Sequence, residues 1–170
     1  MHSDNDFCCS AIVACNEVGA IGLKGKLMYT IPGDLINFKR LTMGHYVIVG
    51  RTTYESIPNR LPGRKIILLT RNINYTCTVH KDIITKTTIE EAITFVRDHC
   101  REVFVIGGAS VYEQAKQYIN KIYMTYVHDN KYGDKYFRIN DESEWNTHVI
   151  KSGTFGGLEY DYRITTKIYK

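Results

Sequence analysis

One acidic side chain stands among apolar residues in the stretch LMYTIPGDLINFKRL, which spans residues 27–41. Read as a helix that begins near Pro32, the stretch places Asp34, Phe38 and Leu41 on one face, so the face that should meet a core begins with a carboxylate. Such an acid can bind a polar group of a ligand inside an apolar pocket. It can equally be an ordinary first-turn acid that favours the helix dipole, and the stretch alone leaves both interpretations open.

Hydroxyl and guanidinium groups follow two of the apolar runs of the chain. Arg51, Thr52 and Thr53 come directly after VIVG, and Thr70 and Arg71 come after IILL. Backbone N–H groups and hydroxyls at a helix start bind phosphate, and an arginine adds a bidentate charge. Each group alone is equally typical of a helix cap or a solvated loop. Two arginines on one rim would suit a ligand with several phosphates, such as NADPH with its 2′-phosphate.

Small residues follow a third run, where VFVI leads into Gly107, Gly108, Ala109 and Ser110. The spacing is not the G-x-G-x-x-G fingerprint of dinucleotide-binding folds, yet small residues at a helix start let a pyrophosphate approach the backbone. A tight strand-to-helix turn explains them equally well. Arg64, which follows a Pro-Gly turn, also has two interpretations: it is a turn charge or a clamp for a substrate carboxylate.

A sheet that brings several strand ends together is needed to position these groups. Continuous apolar runs predict buried strands at residues 7–15, 45–50, 65–70 and 103–108. Amphipathic stretches predict helices that begin near residues 32, 51, 88 and 109. Later strands are expected at residues 121–128, 145–151 and 160–170, with a hairpin loop over 152–159. The pattern predicts an α/β fold with a mixed, mainly parallel central sheet of about eight strands, an antiparallel C-terminal hairpin and about four flanking helices.

The site should lie at one edge of this sheet. Ligands in such folds bind beyond the carboxyl ends of the strands, and the arginines, hydroxyls and glycines described above follow those ends. The segment 16–27 has glycines at three-residue intervals and predicts a flexible loop.

Length and composition exclude several classes of function. The 170 residues predict a single domain over 1–170 with a polar tail at 1–6, and the net charge of +4 comes without the basic stripe of a nucleic-acid-binding protein. No stretch approaches the roughly 20 apolar residues of a membrane helix. The five cysteines form no metal-ligand pattern, so we expect reduced thiols in a cytoplasmic protein without a metal site.

Five stretches together resemble the dihydrofolate reductase family. They are AIVACNEVGAIG, IPGDLINFKRLT, VIVGRTTYESI, LPGRKIILLTR and VFVIGGASVYEQA, and the resemblance runs from about Ser10 to the C-terminus. It implies an enzyme that uses NADPH to reduce 7,8-dihydrofolate to tetrahydrofolate, with hydride passing from nicotinamide C4 to pterin C6 and a proton reaching N5. It also implies a cytoplasmic monomer that serves one-carbon and thymidylate metabolism and is a target of antifolates.

The resemblance assigns roles to the residues at matching positions. Asp34 would bind the 2-amino group and N3 of the pterin, Thr125 would bridge to that carboxylate, and Arg64 would pair with the glutamate carboxylate of folate. The substrate site would be completed by Ile12, Val13, Leu35, Phe38, Ile57, Leu61, Ile106 and Tyr112. The cofactor site would comprise Ala14, Ala20, Ile21, Gly22, Gly50, Arg51, Thr52, Thr53, Leu69, Thr70, Arg71, Ile106, Gly107, Gly108, Ala109, Ser110, Val111 and Tyr112.

Met28 and Tyr29 depart from the family pattern, which has Pro-Trp here in most bacterial-type members. That Trp helps to hold a water near the pterin and the acid, and Tyr29, a hydrogen-bond donor of different reach, is a candidate catalytic residue. The resemblance further implies a cis peptide bond between Gly107 and Gly108. Burial would raise the pKa of Asp34 and a helix N-terminus would lower it, so the sequence leaves the direction open.

Two other functions fit much of the same pattern. A related pterin or pyrimidine reductase would share the sheet, although such enzymes lack the acid at this helix start. A non-catalytic nucleotide-binding protein would keep the pockets without turnover, and the pairing of Asp34 with Thr125 argues against it.

Overall fold

The computed structural model describes residues 6–77 and 82–169, so most of the predicted tail at 1–6 lies outside the described part. The strands are β1 (Cys8–Asn16), β2 (Ala20–Leu23), β3 (Lys26–Leu27), β4 (Tyr46–Gly50), β5 (Lys65–Leu69), β6 (Ile84–Lys86), β7 (Glu102–Val105), β8 (Lys121–Val127), β9 (Lys135–Tyr136), β10 (Trp145–Phe155) and β11 (Leu158–Lys167). The helices are α1 (Pro32–Thr42), α2 (Arg51–Ser56), α3 (Ile89–Arg97) and α4 (Ala109–Ala115), and a short 3-10 helix spans Glu142–Glu144.

Eight strands form one sheet in the order β10-β11-β8-β1-β7-β4-β5-β6. The neighbours from β8 to β6 run parallel, whereas β11 pairs antiparallel with both β8 and β10. The predicted fold class is therefore confirmed, down to the antiparallel C-terminal hairpin. A second sheet of three short antiparallel strands, in the order β3-β2-β9, lies beside it.

The central strands are apolar along their whole length because both faces of the sheet are covered. Along β4, Ile48 belongs to one core cluster, while Val47 and Val49 belong to the other. Helix α3 contributes Ile93 to the first cluster and α4 contributes Val111, whereas α2 contributes Tyr54 to the second. This packing fixes the sheet and leaves the strand ends free to carry functional groups.

Three local expectations differ from the structure. The segment 16–27, predicted as a loop, contains β2 and β3, which form a hairpin. The predicted hairpin loop over 152–159 shrinks to Gly156 and Gly157, since Phe155 pairs directly with Leu158. The short strands β6 and β9 were not predicted, because runs of two or three residues are too short to show a hydrophobic period.

Candidate active site

The carboxyl ends of neighbouring parallel strands meet at one edge of the main sheet. Gly50 of β4 is level with Leu69 of β5, and the Gly50 N–H donates to the carbonyl of Gly107 just beyond β7, with an N–O distance of 2.9 Å. Arg51 and Thr70 directly follow these paired positions and therefore emerge side by side. Groups predicted from three separate apolar runs thus converge on one rim.

Glycines keep the junction between these strand ends free of side chains. The Gly107–Gly108 peptide bond is cis, as the resemblance implied. A Cβ atom at Gly108 would lie 2.7 Å from Oγ1 of Thr53, and one at Gly50 would lie 3.1 Å from Cγ2 of Val111. Larger residues would not fit without movement of their neighbours, so bare backbone lines this part of the rim.

The carboxylate of Asp34 lies in the first turn of α1 and is half-buried. It accepts a hydrogen bond from the hydroxyl of Thr125 on β8, with an O–O distance of 2.6 Å. Thr125 pairs across the sheet with Tyr162 on β11, whose hydroxyl also acts on the Asp34 carboxyl. Burial raises the pKa of Asp34, and the hydroxyls of Thr125 and Tyr162 oppose that rise without cancelling it. The direction that the sequence left open is therefore upward.

Apolar side chains wall the space in front of Asp34. Leu61 is 4% exposed and belongs to a core cluster, against which Phe38, Ile57 and Ile12 pack. Leu35 differs, since its side chain is 64% exposed and lies at the mouth of the cleft. These walls exclude water from one side of the carboxylate.

The guanidinium of Arg64 faces the same space without a hydrogen-bond partner at two of its nitrogens among the described residues. Its Nε and Nη1 atoms are buried, and burial lowers the pKa of the group. A buried cation without partners is costly, so this geometry suits a ligand that brings an anion, such as a carboxylate.

Arg51 and Arg71 are exposed on the other side of the rim. No acid within the described residues lies in ion-pair range of either guanidinium. Thr70, between the two strand ends, is 8% exposed and donates its N–H to the carbonyl of Lys86 at the end of β6. Two cations without ion-pair partners among the described residues, beside the buried Thr70, provide contacts for phosphate groups.

One continuous cleft of about 1980 Å³ connects the carboxylate, the glycine-lined backbone and both sets of arginines. Almost all residues predicted for the substrate and cofactor sites line it, and Ala20 and Tyr29 are the exceptions. The cleft is large enough for two ring-bearing ligands laid against each other.

Comparison with known proteins agrees with this geometry. A family model described as "Dihydrofolate reductase" matches residues 8–168. The chain belongs to the dihydrofolate reductase family. The resemblance inferred from the five sequence stretches is thereby confirmed.

Individual relatives cover most of the chain. A dihydrofolate reductase of Bacillus subtilis is 36% identical over 157 residues, which are 90% of this chain and 89% of the relative. One from Buchnera aphidicola subsp. Baizongia pistaciae is 37% identical over 138 residues, 80% of each chain. A solved structure, a dihydrofolate reductase from Enterococcus faecalis complexed with NADP(H) and RAB-propyl, superposes with a TM-score of 0.80 at 28% identity and covers 94% of this chain and 96% of that one.

Two residues expected at a dihydrofolate reductase site lie behind the cleft wall. The hydroxyl of Tyr29 donates to Asp129 and accepts from Nδ2 of Asn16, so it does not contact Asp34. Burial and the bond to Asp129 raise the pKa of Tyr29 to about 12. Ala20 is fully buried, and its N–H donates to Oδ1 of the same Asn16. Asn16, at the end of β1, therefore binds both residues, and they support the cleft wall from behind.

Tyr162 contacts Asp34, yet no sequence argument selected it for the site. The alternation along residues 160–168 did place Tyr160 and Tyr162 on one face of the last strand. Whether that face meets the cleft depends on the pairing of β11 with β8, which cannot be read from the strand itself. The sequence therefore offered only a weak indication that Tyr162 belongs to the site, namely a tyrosine on a C-terminal strand.

Neither a metal-binding cluster nor a membrane-spanning helix is present in the described part of the chain. Across residues 6–77 and 82–169, no group of three or more His, Cys, Asp or Glu side chains could hold a metal ion. In that same part of the chain, no helix is long and apolar enough to cross a membrane.

Proposed function

We propose that this chain catalyses the NADPH-dependent reduction of 7,8-dihydrofolate to tetrahydrofolate. The observation that carries the proposal is the half-buried carboxylate of Asp34, held by Thr125 in an apolar pocket that opens onto the glycine-lined rim. Its relatives bear the name dihydrofolate reductase, and the Enterococcus faecalis protein is complexed with NADP(H). One cleft thus contains a carboxylate for the pterin, the guanidinium of Arg64 for the glutamate carboxylate and a rim for the phosphates of the cofactor.

The substrate occupies the side of the cleft that contains Asp34. The carboxylate accepts hydrogen bonds from the 2-amino group and N3 of the pterin, and Thr125 keeps it oriented. Phe38 and Leu61 hold the flat ring and exclude water, which strengthens those hydrogen bonds. Arg64 binds the glutamate carboxylate, which gives its buried nitrogens their missing partner. The remaining wall residues of this side are Ile12, Val13, Leu35, Ile57, Ile106 and Tyr112.

The cofactor occupies the side with the glycines. Gly50, Gly107 and Gly108 form a surface that Cβ atoms would fill, so the backbone fits a closely approaching pyrophosphate. NADPH supplies the hydride that pterin C6 receives. Arg51, Thr70 and Arg71 bind the phosphates of the adenosine end. The other contacts of this side come from Ala14, Ile21, Gly22, Thr52, Thr53, Leu69, Ile106, Ala109, Ser110, Val111 and Tyr112, with Ala20 behind them.

Asp34 also prepares the pterin for protonation. An ionised carboxylate on the amino group and N3 pushes electron density toward N5 and raises its basicity. Because the carboxylate contacts the opposite edge of the ring, a water molecule delivers the proton. Asp34 thus acts by binding and polarisation.

The protein works as one domain and one chain. One polypeptide supplies every contact proposed for both ligands, so the site needs no residue from a second copy. All five cysteines are free thiols, and Cys9 and Cys15 are buried in the core, which supports a reducing compartment such as the cytoplasm.

The first test measures NADPH oxidation in the presence of dihydrofolate. Wild type should turn over, and Asp34→Asn should lower kcat/KM by about 10²–10⁴-fold, since the neutral amide presents a donor where the pterin needs an acceptor. Asp98→Asn, the same substitution at an exposed aspartate outside the cleft, is the control for folding.

Each alternative function has its own signature in this assay. Cofactor binding without turnover of any pterin would indicate a non-catalytic nucleotide-binding protein. Turnover of another pterin or pyrimidine, with dihydrofolate inactive, would indicate a different reductase. Full activity in Asp34→Asn would remove the role assigned to the acid.

A further inference from the structure

Tyr162 brings a second hydroxyl to the carboxylate of Asp34. It lies opposite Thr125 in the antiparallel register of β11 and β8, and directly paired residues project on the same face of a sheet. The Thr125 hydroxyl donates to the Asp34 carboxylate, and the Tyr162 hydroxyl, on the same face of the sheet, favours its charged form.

Space for this contact is built into the neighbouring elements. A Cβ atom at Gly33, one residue before Asp34, would lie 2.5 Å from the hydroxyl oxygen of Tyr162. The ring of Tyr160 packs edge-on against that of Tyr162 at a centroid distance of 5.3 Å. Gly153 on β10 in turn leaves room for Tyr160. Gly33 thus leaves room for the Tyr162 hydroxyl, and Tyr160 supports the ring that carries it.

We propose that Tyr162 is a positioning residue that keeps Asp34 ionised and aimed at the substrate. The inference rests on the proposed function of Asp34 as the acceptor for the pterin. A buried carboxylate resists ionisation, and hydroxyl donors favour the charged form because they bond to it more strongly. Burial and the nearby charge of Asp34 raise the pKa of Tyr162 to about 12, so the phenol stays protonated and remains a donor.

No charged side chain within the described residues accounts for the ionisation of Asp34. Besides burial, the groups that act on it are the hydroxyls of Thr125 and Tyr162. The other charged side chains that line the same cleft are Lys26 on β3, Lys39 and Arg40 on α1, Arg51 on α2, Arg64 and Arg71 near the ends of β5, Lys135 on β9, Lys151 on β10 and Arg163 on β11. None of these cations is among the groups that shift the Asp34 carboxyl, so the two hydroxyls share that task.

The decisive experiment titrates Asp34 in the free protein by NMR of ¹³C-labelled aspartate carboxyls, with Asp34→Asn used to assign the signal. Tyr162→Phe should raise the pKa of Asp34 by about one unit, because it removes one donor to the charged form. Tyr126→Phe is the matched control: it deletes a phenol hydroxyl from the next position along β8, on the other face of the sheet, and should leave the titration unchanged. An unchanged titration in Tyr162→Phe would overturn the proposal.

A kinetic readout separates this inference from the proposed function. The acidic limb of kcat/KM against pH should move upward by the same unit in Tyr162→Phe and stay in place in Tyr126→Phe. If wild type lacks dihydrofolate reductase activity, the proposed function fails, yet the NMR titration still decides whether Tyr162 acts on Asp34. If the pKa of Asp34 measured by NMR moves while the acidic limb of kcat/KM stays in place, the claim that ionised Asp34 binds the substrate would be contradicted.

Gly33 offers a second, independent test. Its backbone is not at positive φ, so Gly33→Ala is tolerated by the helix, but the new methyl group collides with the hydroxyl of Tyr162. Gly33→Ala alone should raise the pKa of Asp34 as Tyr162→Phe does. Adding Tyr162→Phe removes the collision, because the ring carbon that carried the hydroxyl is 3.7 Å away, and should cause no further shift. Additive shifts in the double variant would show that the two residues act on Asp34 separately.

Discussion

Asp34 is placed where its charge costs folding free energy. Burial raises the pKa of its carboxyl above the usual 3.8, so the folded protein favours the neutral form more than the unfolded chain does. The hydrogen bond from Thr125 and the nearby hydroxyl of Tyr162 reduce this cost without removing it. A charge that lowers the stability of the folded protein is typical of a residue that binds a ligand.

Asp34→Asn should therefore make the protein more stable while it lowers activity. Above the raised pKa, the wild-type carboxylate is charged in both states and destabilises the fold; below pH 3.8, it is neutral in both states and the penalty is gone. The gain from Asn should accordingly be present at neutral pH and fade as the pH falls through the raised value toward 3.8. Urea unfolding of both proteins at about pH 7 and about pH 4 measures this difference. A gain that grows on acidification would show that the pKa is lowered instead.

The hydroxyls around Asp34 show how far single residues can be interpreted from sequence. Asp34 and Thr125 were both selected through the family resemblance, and the structure brings them together. Tyr29 stands where the family usually has Trp, which suggested a hydrogen-bond donor near Asp34. Its hydroxyl is instead bound by Asn16 and Asp129, away from Asp34. The donor comes from Tyr162 instead. Long-range pairing decides such contacts, and local sequence does not contain it.

At the scale of elements, the hairpin of β10 and β11 is what delivers Tyr162 to the site. Its two-residue turn has both glycines at positive φ, +58° at Gly156 and +80° at Gly157. This is the backbone of a type I′ turn, whose twist matches that of the paired strands and which favours Asn followed by Gly. A Cβ atom at Gly156 would meet nothing within 4 Å, so this position accepts a side chain.

Gly156→Asn should raise the free energy of unfolding by about 0.4–1 kcal/mol, because Asn tolerates positive φ and restricts the unfolded chain more than Gly does. Chemical denaturation measures the change. Gly156→Val is the control and should lower stability, since a β-branched residue is strained at this φ. A more stable Val variant would mean that the turn does not have this backbone in solution.

Segment 16–27 shows why some elements escaped prediction. Its hairpin turns at Lys24 and Gly25, again with both residues at positive φ. Lys is not a residue that predicts such a turn, and β2 also needs β9, which is contributed from far along the chain. The buried strands were predictable because their apolar character is continuous over four or more residues, whereas these short strands depend on partners for their existence.

For the whole molecule, the parallel arrangement was predictable and the strand order was not. Alternating strands and helices require a parallel sheet, and ligands then bind at the carboxyl edge. Nothing in the local pattern places β1 between β8 and β7, although that order brings Thr125 near the rim formed by β4 and β5. Here the family resemblance supplied what the pattern could not, since it covers the whole order of elements.

Cofactor binding should stabilise the entire molecule, because the rim is built from the ends of several strands. A ligand at 100 times its Kd stabilises the folded state by about 2.7 kcal/mol, which for a chain of this size raises Tm by about 5–11 °C. At equal concentration NADPH should raise Tm more than NADH, since Arg51 and Arg71 are exposed cations without described ion-pair partners and can bind the 2′-phosphate. Differential scanning calorimetry with each nucleotide measures the difference.

The double variant Arg51→Ala/Arg71→Ala tests whether these two charges create the preference. It should lose about 1.4 kcal/mol of NADPH affinity per arginine, roughly tenfold each in Kd, while its response to NADH changes little. Arg101→Ala removes an exposed arginine that does not line the cleft, so it is the matched control and should leave the preference intact. Equal losses for the two nucleotides in the double variant would mean that the arginines bind the shared pyrophosphate, and the 2′-phosphate would then need another partner on the rim.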